Sequence, residues 1–448
     1  MPQTDRHFSG WFRTVFWLCF SAIGSFTWAQ ANRIDFIRPD APALAAYGRL
    51  GVGVTTAHFQ NPQQWDIVNA KSGSAMPLYD RPLTVEIWYP GQIEAAAPHR
   101  AEYKIYFRDG KTHMNLYGKA LRDAKPHPTS SPYPLVVVSH GYPGNRYLLS
   151  PITENLASKG YVVVSIDHTD STYADQSTVA SSLRNRSLDL TFVIDEMVKI
   201  NRDANSPLKG LIDENRIALI GESMGGYGVI NKLGGGYSDK ATQFPDLPPD
   251  SLQPLLNSNP DFAYRRDPRI QAGVVFGPWG WSHGVWDDQG LQGIRTPILY
   301  IAGGVDEISG EAPDIRALYE GSIRTDRYLL ISNRSDRRAC VQIPMSQMAL
   351  DPANCAEGAN SIAIEFELLW DNVRMNNIAQ HFITAFLGKY LENDNSKAAY
   401  IDAQGNVGNG NRSANAAGGP DDKYSPWSGI SSRPVAGVRL DHLKAAAK

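Results

Sequence analysis

A series of short apolar runs sets the strongest limit on how this chain can fold. Pro134 to Ser139 (PLVVVS), Tyr161 to Ile166 (YVVVSI), Arg216 to Ile220 (RIALI), Ala272 to Phe276 (AGVVF), Pro297 to Ala302 (PILYIA) and Tyr328 to Ile331 (YLLI) are nearly continuous and rich in β-branched residues. A strand that is apolar throughout must be covered on both faces, as in a parallel sheet between helix layers. Leu83 to Trp88 (LTVEIW) instead alternates, as a half-buried strand does, and stops at Tyr89-Pro90-Gly91. Between the runs, Tyr147 to Lys159, Ser187 to Asn201, Met224 to Leu233 and Trp370 to Leu391 fit a helical period of 3.6. Strand and helix in alternation predict an α/β fold, with a mostly parallel central sheet and helices on both faces.

Composition narrows the class. The 448 residues carry 43 Lys and Arg against 46 Asp and Glu, a net charge of -3, with 42% hydrophobic residues. That balance excludes a disordered chain and a polybasic nucleic-acid binder. Three cysteines are too few for a disulfide scaffold or a Cys-rich zinc module. The first residues differ from the rest. Arg6, His7 and Arg13 precede an uncharged apolar stretch, Val15 to Trp28, which is followed by Ala29-Gln30-Ala31. The stretch is shorter than the roughly 20 residues a membrane span needs, so residues 1–29 read as a cleavable signal peptide. A periplasmic or secreted protein with no transmembrane helix in its mature form is expected, the alternative being an uncleaved anchor. Residues 30–395 then form the main domain, with a loop insertion around 234–268 rich in Pro, Asp, Asn and Ser. Residues 396–448 are set apart as a low-complexity segment and tail, whose Trp427 and Leu440 could dock back on the surface.

Gly221-Glu222-Ser223-Met224-Gly225 matches G-x-S-x-G. In a chain with 39 glycines the pattern alone is weak. Its position, directly after RIALI and opening a helical stretch, is the strand-turn-helix setting of a nucleophile elbow. Ser223 is therefore the candidate nucleophile. His140-Gly141-Tyr142-Pro143-Gly144 follows PLVVVS, where this architecture draws its second oxyanion donor. The backbone N–H groups of Tyr142 and Met224 are expected to form the oxyanion hole, with His140 a structural residue of that loop. The candidate acid is Asp306, at the end of PILYIA, where catalytic groups of a parallel sheet gather. Asp287 and Asp288 are the runners-up.

These motifs together resemble those of the α/β-hydrolases, of the dienelactone-hydrolase-like and platelet-activating-factor-acetylhydrolase-like kind. LTVEIWYP, VVVSHGYPGNR, NLASKGYVVVSIDHTDSTY, ALIGESMGGYG, PILYIAGGVDEISG and VRMNNIAQHFITAFLGKYL carry the resemblance from about Gly51 to Leu391. It implies a serine esterase that acts on a small-molecule or lipid ester without metal or cofactor. Under it Ser223 is the nucleophile, Asp306 the acid, and Tyr142 and Met224 the oxyanion hole.

The histidine departs from the pattern. Such hydrolases carry the base in the loop after the last core strand, but here YLLI runs into Ser332-Asn333-Arg334-Ser335-Asp336, and no His lies between His283 and His381. His381, in the final helix, is ranked first as base. His283 is the alternative, in a loop whose Trp279, Trp281 and Trp286 could line an apolar pocket. A fold that has lost its base, serving as a binding protein, and an acyltransferase using the same serine are the rival readings. Cys340 and Cys355 bound part of the departing loop. A bridge closing those roughly 15 residues would contribute about 3 kcal/mol in the chain-entropy model; two free thiols are the alternative. The sequence lacks H-E-x-x-H, C-x-x-C and phosphate-loop motifs. Neither a metal site nor a nucleic-acid partner is expected.

Overall fold

The computed structural model describes residues 32–93, 101–107, 109–304, 314–332, 371–402, 427–430 and 437–446. The expected leader, Asp306, Asp336, Cys340, Cys355 and the low-complexity stretch 403–422 lie outside the described residues.

In chain order the strands are β1 (Gly51–Trp65), β2 (Leu78–Gly91), β3 (Glu102–Tyr106), β4 (His113–Tyr117), β5 (Leu121–Arg122), β6 (Tyr133–Ser139), β7 (Val162–Asp167), β8 (Ile212–Glu222), β9 (Ile270–Phe276), β10 (Ile298–Gly303), β11 (Arg327–Ser332) and β12 (Val438–Leu443). The main helices are α1 (Ser150–Ala157), α2 (Val179–Arg202), α3 (Met224–Lys232) and α4 (Asn372–Tyr390). A 10-stranded sheet has the order β12-β11-β10-β9-β8-β6-β7-β2-β1-β5, and β3 and β4 form a separate hairpin. From β11 to β7 every neighbouring pair is parallel. The antiparallel pairs, β2 on β7, β1 on β2 and β12 on β11, flank this parallel centre. The fold is that of an α/β-hydrolase.

Why the apolar runs had to be strands follows from their burial. Along β6 and β8, Val136, Val138, Ala218 and Ile220 face one apolar layer, which also holds α1 and α4. Leu135, Val137, Ile217 and Leu219 face the other, with α2 and α3. Each such side chain contributes roughly 1.5–3 kcal/mol when fully buried, so both faces need a helix cover. The expected strands and helices all occur, with shifted ends. α2 begins at Val179, well before its apolar periodicity, because Arg184, Asn185, Arg186, Ser187 and Asp189 are buried polar residues on its first turns. The insertion is a series of short turns whose Tyr237, Leu252, Leu255 and Leu256 pack into the α2–α3 layer.

Two features position the site. Asp167, the last residue of β7, pairs with Thr84 of β2. The start of β2 and the 66–77 connection therefore project past the edge where the parallel strands end. At the far side of the sheet, the segment set apart as a tail supplies β12, and Leu440 is fully buried there. Among the described residues no helix is long and apolar enough to cross a membrane.

Candidate active site

β8 ends at Glu222 and α3 starts at Met224, so a single residue makes the turn. That residue is Ser223, at φ 49° and ψ −113°. Positive φ costs a side-chain-bearing residue about 1–3 kcal/mol, and such conformations concentrate at functional sites. Hydrogen bonds hold it there. The Ser223 N–H donates to the Phe276 carbonyl at 2.9 Å, and its own carbonyl accepts from Tyr227 and Trp279 N–H at 3.0 and 3.2 Å. Glycine is required around it by close approach. A Cβ on Gly225 would lie 2.0 Å from the Ser139 carbonyl oxygen, and one on Gly221 2.4 Å from that of Gly225. Ser223 is 7% exposed and sits at the N-terminus of α3, where backbone N–H groups and the helix dipole favour negative charge.

The loop after β6, His140 to Gly144, where the oxyanion donor is expected, packs directly against this turn. A Cβ on Gly141 would come within 3.2 Å of the Ser223 Cβ. The loop is fixed from beneath by Arg186 of α2, whose guanidinium donates to the carbonyls of His140 (2.6 Å) and Gly141 (2.8 Å) and to Ser171 Oγ (2.7 Å). Burial lowers the Arg186 pKa to about 9. A second buried chain adjoins it. Asp189 Oδ2 faces His168 Nδ1 at 2.8 Å, and His168 Nε2 faces Ser139 Oγ at 2.8 Å. Because Nδ1–H donates to the carboxylate, Nε2 is left to accept from the serine hydroxyl. Burial would raise the Asp189 carboxyl, but Arg81, bonded to both its oxygens at 3.0 Å, and His168 bring it down to about 2. Burial and Arg186 hold His168 neutral, with its pKa lowered to about 3. This Ser-His-Asp chain lies wholly inside the molecule, each side chain 1% exposed or less, and acts as a brace for the loop. His140 is likewise structural, with Nδ1 on the Gly141 carbonyl (2.6 Å) and Nε2 accepting from the His168 N–H (3.2 Å).

The histidines require a correction. His381, ranked first as base, is not brought to Ser223. It is fully buried in the α1–α4 layer, Nδ1 accepts from the Leu44 N–H at 3.1 Å, and Phe382 and Tyr400 pack edge-on against its ring. Burial and Lys159 lower its pKa to about 3. The ring is a core residue on the face of the sheet opposite Met224. His283 lies at the rim of the site: its exposed ring packs on Trp279 at 4.5 Å and on Phe244 at 6.2 Å between ring centroids, and Trp279 N–H is bonded to Ser223. Trp279 therefore borders the site. Trp286 does not line it; it is 3% exposed, donates to the Gly235 carbonyl at 3.1 Å and packs on Tyr227 and Tyr237. Trp281 is partly buried against the same layer. Sequence reading missed Phe244 and Arg186. The first lies in an aperiodic insertion, and the second reads as a surface charge on a helix. Among the described residues no cluster of His, Cys, Asp and Glu could hold a metal ion.

Sheet order and the strand-turn-helix at Ser223 give the chain an α/β-hydrolase fold, and its matches fall among esterases. The family model described as PETase, PET hydrolase-like, matches residues 120–242, which contain the oxyanion loop and the elbow. The platelet-activating factor acetylhydrolase of Cavia porcellus is 31% identical over 28% of this chain and 38% of its own length. Cutinase 2 of Thermobifida cellulosilytica is 27% identical over 42% of this chain and 53% of its own. The chain thus spans about half or less of the curated relatives it matches. A ferulic acid esterase from Streptomyces cinnamoneus superposes with a TM-score of 0.50 over 81% of this chain and 94% of that one, at 19% identity, a likeness of fold.

Proposed function

We propose that this chain hydrolyses carboxylic esters through an acyl-enzyme on Ser223. The strained Ser223 turn, packed against the oxyanion loop, carries the reading. Ser223 Oγ attacks the ester carbonyl, and the oxyanion is received by the N–H groups of Tyr142 and Met224. The base is His283, and the acid that orients it is Asp306. β8, β9 and β10 are consecutive in the sheet and parallel, so Ser223 and the segment carrying His283 leave adjacent strands at one edge, where β10 also ends; Asp306 follows β10 in sequence. His283 takes the serine proton and returns it to the leaving alcohol; water then releases the acyl group by the reverse path. Leader 1–29 makes the enzyme an exported one, which N-terminal sequencing of the mature protein checks.

A fluorophosphonate probe should label Ser223, and Ser223→Ala should abolish both labelling and ester turnover. His283→Ala should lower kcat by about a hundredfold or more, while His381→Ala should leave it within a few-fold. Full activity in His283→Ala would refute that base. The second reading, a hydrolase fold without a base, is favoured by Asp336 at the position where the family carries histidine. It predicts neither probe labelling of Ser223 nor ester turnover.

A further inference from the structure

Next to the Ser223 rim lies a cavity of about 710 Å³, walled on one side by the 66–77 connection and on the other by the insertion. Its apolar lining includes Trp65, Val68, Met76 and Leu247, with Thr178 at the end nearest the oxyanion loop. Two chains of contact tie it to the site. The Tyr142 hydroxyl donates to the Ser177 carbonyl, one residue before Thr178. Leu247 N–H donates to the Phe244 carbonyl at 3.4 Å, and Phe244 packs on Trp279, the residue bonded to Ser223. The 66–77 wall stands on the same edge of the sheet as the elbow, because β2 and its connection overrun the end of β7. The two walls are also joined to one another. Arg184 of α2 lays its guanidinium over the Trp65 ring at 4.1 Å and donates to the Ser251 carbonyl, so one buried side chain holds the strand end and the insertion together.

We infer that this groove is a subsite for a long, mainly apolar arm of the ester whose carbonyl is held at Ser223. This rests on the Ser223 reading and names the substrate class for it. The volume falls within the roughly 300–1,000 Å³ of small-molecule pockets, which combine apolar walls with few polar groups. Lys71 and Asp246, the ionisable residues of the lining, are of opposite sign and both exposed. Ser72, Ser74 and Thr178 add neutral polar groups at the walls, so the groove suits a neutral arm with a hydrocarbon body rather than a phosphate or a polyanion.

The test compares p-nitrophenyl acetate with p-nitrophenyl laurate on the full protein and on the double variant Val68→Asn, Leu247→Asn. Val68 is 39% exposed, whereas Leu247 is partly buried against the α2–α3 layer, so a small fall in melting temperature is expected and both esters are compared at a temperature where the double variant is folded. With the groove in use, kcat/KM for the laurate falls about tenfold, while that for the acetate stays within about twofold. Equal loss on both esters, or no loss on either, overturns the subsite. Laurate affinity measured by calorimetry separates the two claims. A protein that hydrolyses no ester but binds laurate about tenfold less tightly in the double variant loses the Ser223 reading and keeps the groove. A protein that hydrolyses both esters with unchanged preference and unchanged laurate affinity loses the groove and keeps Ser223.

Discussion

Ser223 occupies a conformation that glycine would adopt at little cost, at φ 49° and ψ −113°. Ser223→Gly is expected to be inactive and yet more stable. Relief of backbone strain offsets the added freedom of an unfolded glycine and leaves a net gain of about 1 kcal/mol. Urea midpoints of Ser223→Gly and Ser223→Ala check this, since alanine keeps the strain. Arg186 acts through the oxyanion loop rather than on substrate. Arg186→Met strips the carbonyls of His140 and Gly141 of their buried donor. A loss of about 3 kcal/mol in stability is expected, as for a buried charge partner removed, together with a fall in kcat that exceeds any change in KM. Arg186→Lys, which can still donate to one carbonyl, should recover part of both, measured by steady-state kinetics beside urea unfolding.

Helix α4 shows how one element can hold a histidine for packing alone. His381 is neutral in the fold, its pKa brought to about 3 by burial and Lys159. The unfolded chain protonates it near the ordinary histidine value, so between those two pKa values the unfolded state binds more protons. The contribution of this group is therefore complete above about pH 6.5 and is lost, at about 1.4 kcal/mol per pH unit, as pH falls toward 3. His381→Leu should reduce the drop in urea midpoint between pH 7 and pH 4.5. An equal drop in both proteins would remove His381 from the acid sensitivity. The periodicity of α4 was plain in sequence, but a histidine on the inner face of a helix reads alike whether that face meets a core or a cleft. The same ambiguity put Trp286 beside Trp279. Only packing separates them, Trp286 among Tyr227 and Tyr237, and Trp279 against Ser223.

For the whole molecule, the sheet is complete only when chain from beyond residue 437 returns as β12 and pairs with β11. Leu440→Ala should cost about 3 kcal/mol, the usual range for a fully buried leucine, although the residue lies in a segment that composition sets apart. Denaturant unfolding measures the cost. Size-exclusion chromatography of a chain ending at 436 should show self-association through the exposed β11 edge.

The parallel centre of the sheet, the covering helices and the tight turn at Ser223 were all determined locally. An apolar run buried on both faces can hardly be anything but an inner strand, and the elbow needs its glycines within a few residues of the serine. The flanking strand β1 was not legible, because its later half is polar and carries Asn61-Pro62. β12 was hidden by the low-complexity stretch before it. That His381 belongs to the core, which tryptophan borders the Ser223 turn, that Arg186 braces the loop after β6, and that two distant segments enclose a groove were decided only by tertiary structure. Each depends on side chains far apart in sequence meeting across the sheet edge, and no local pattern of polarity encodes such a meeting.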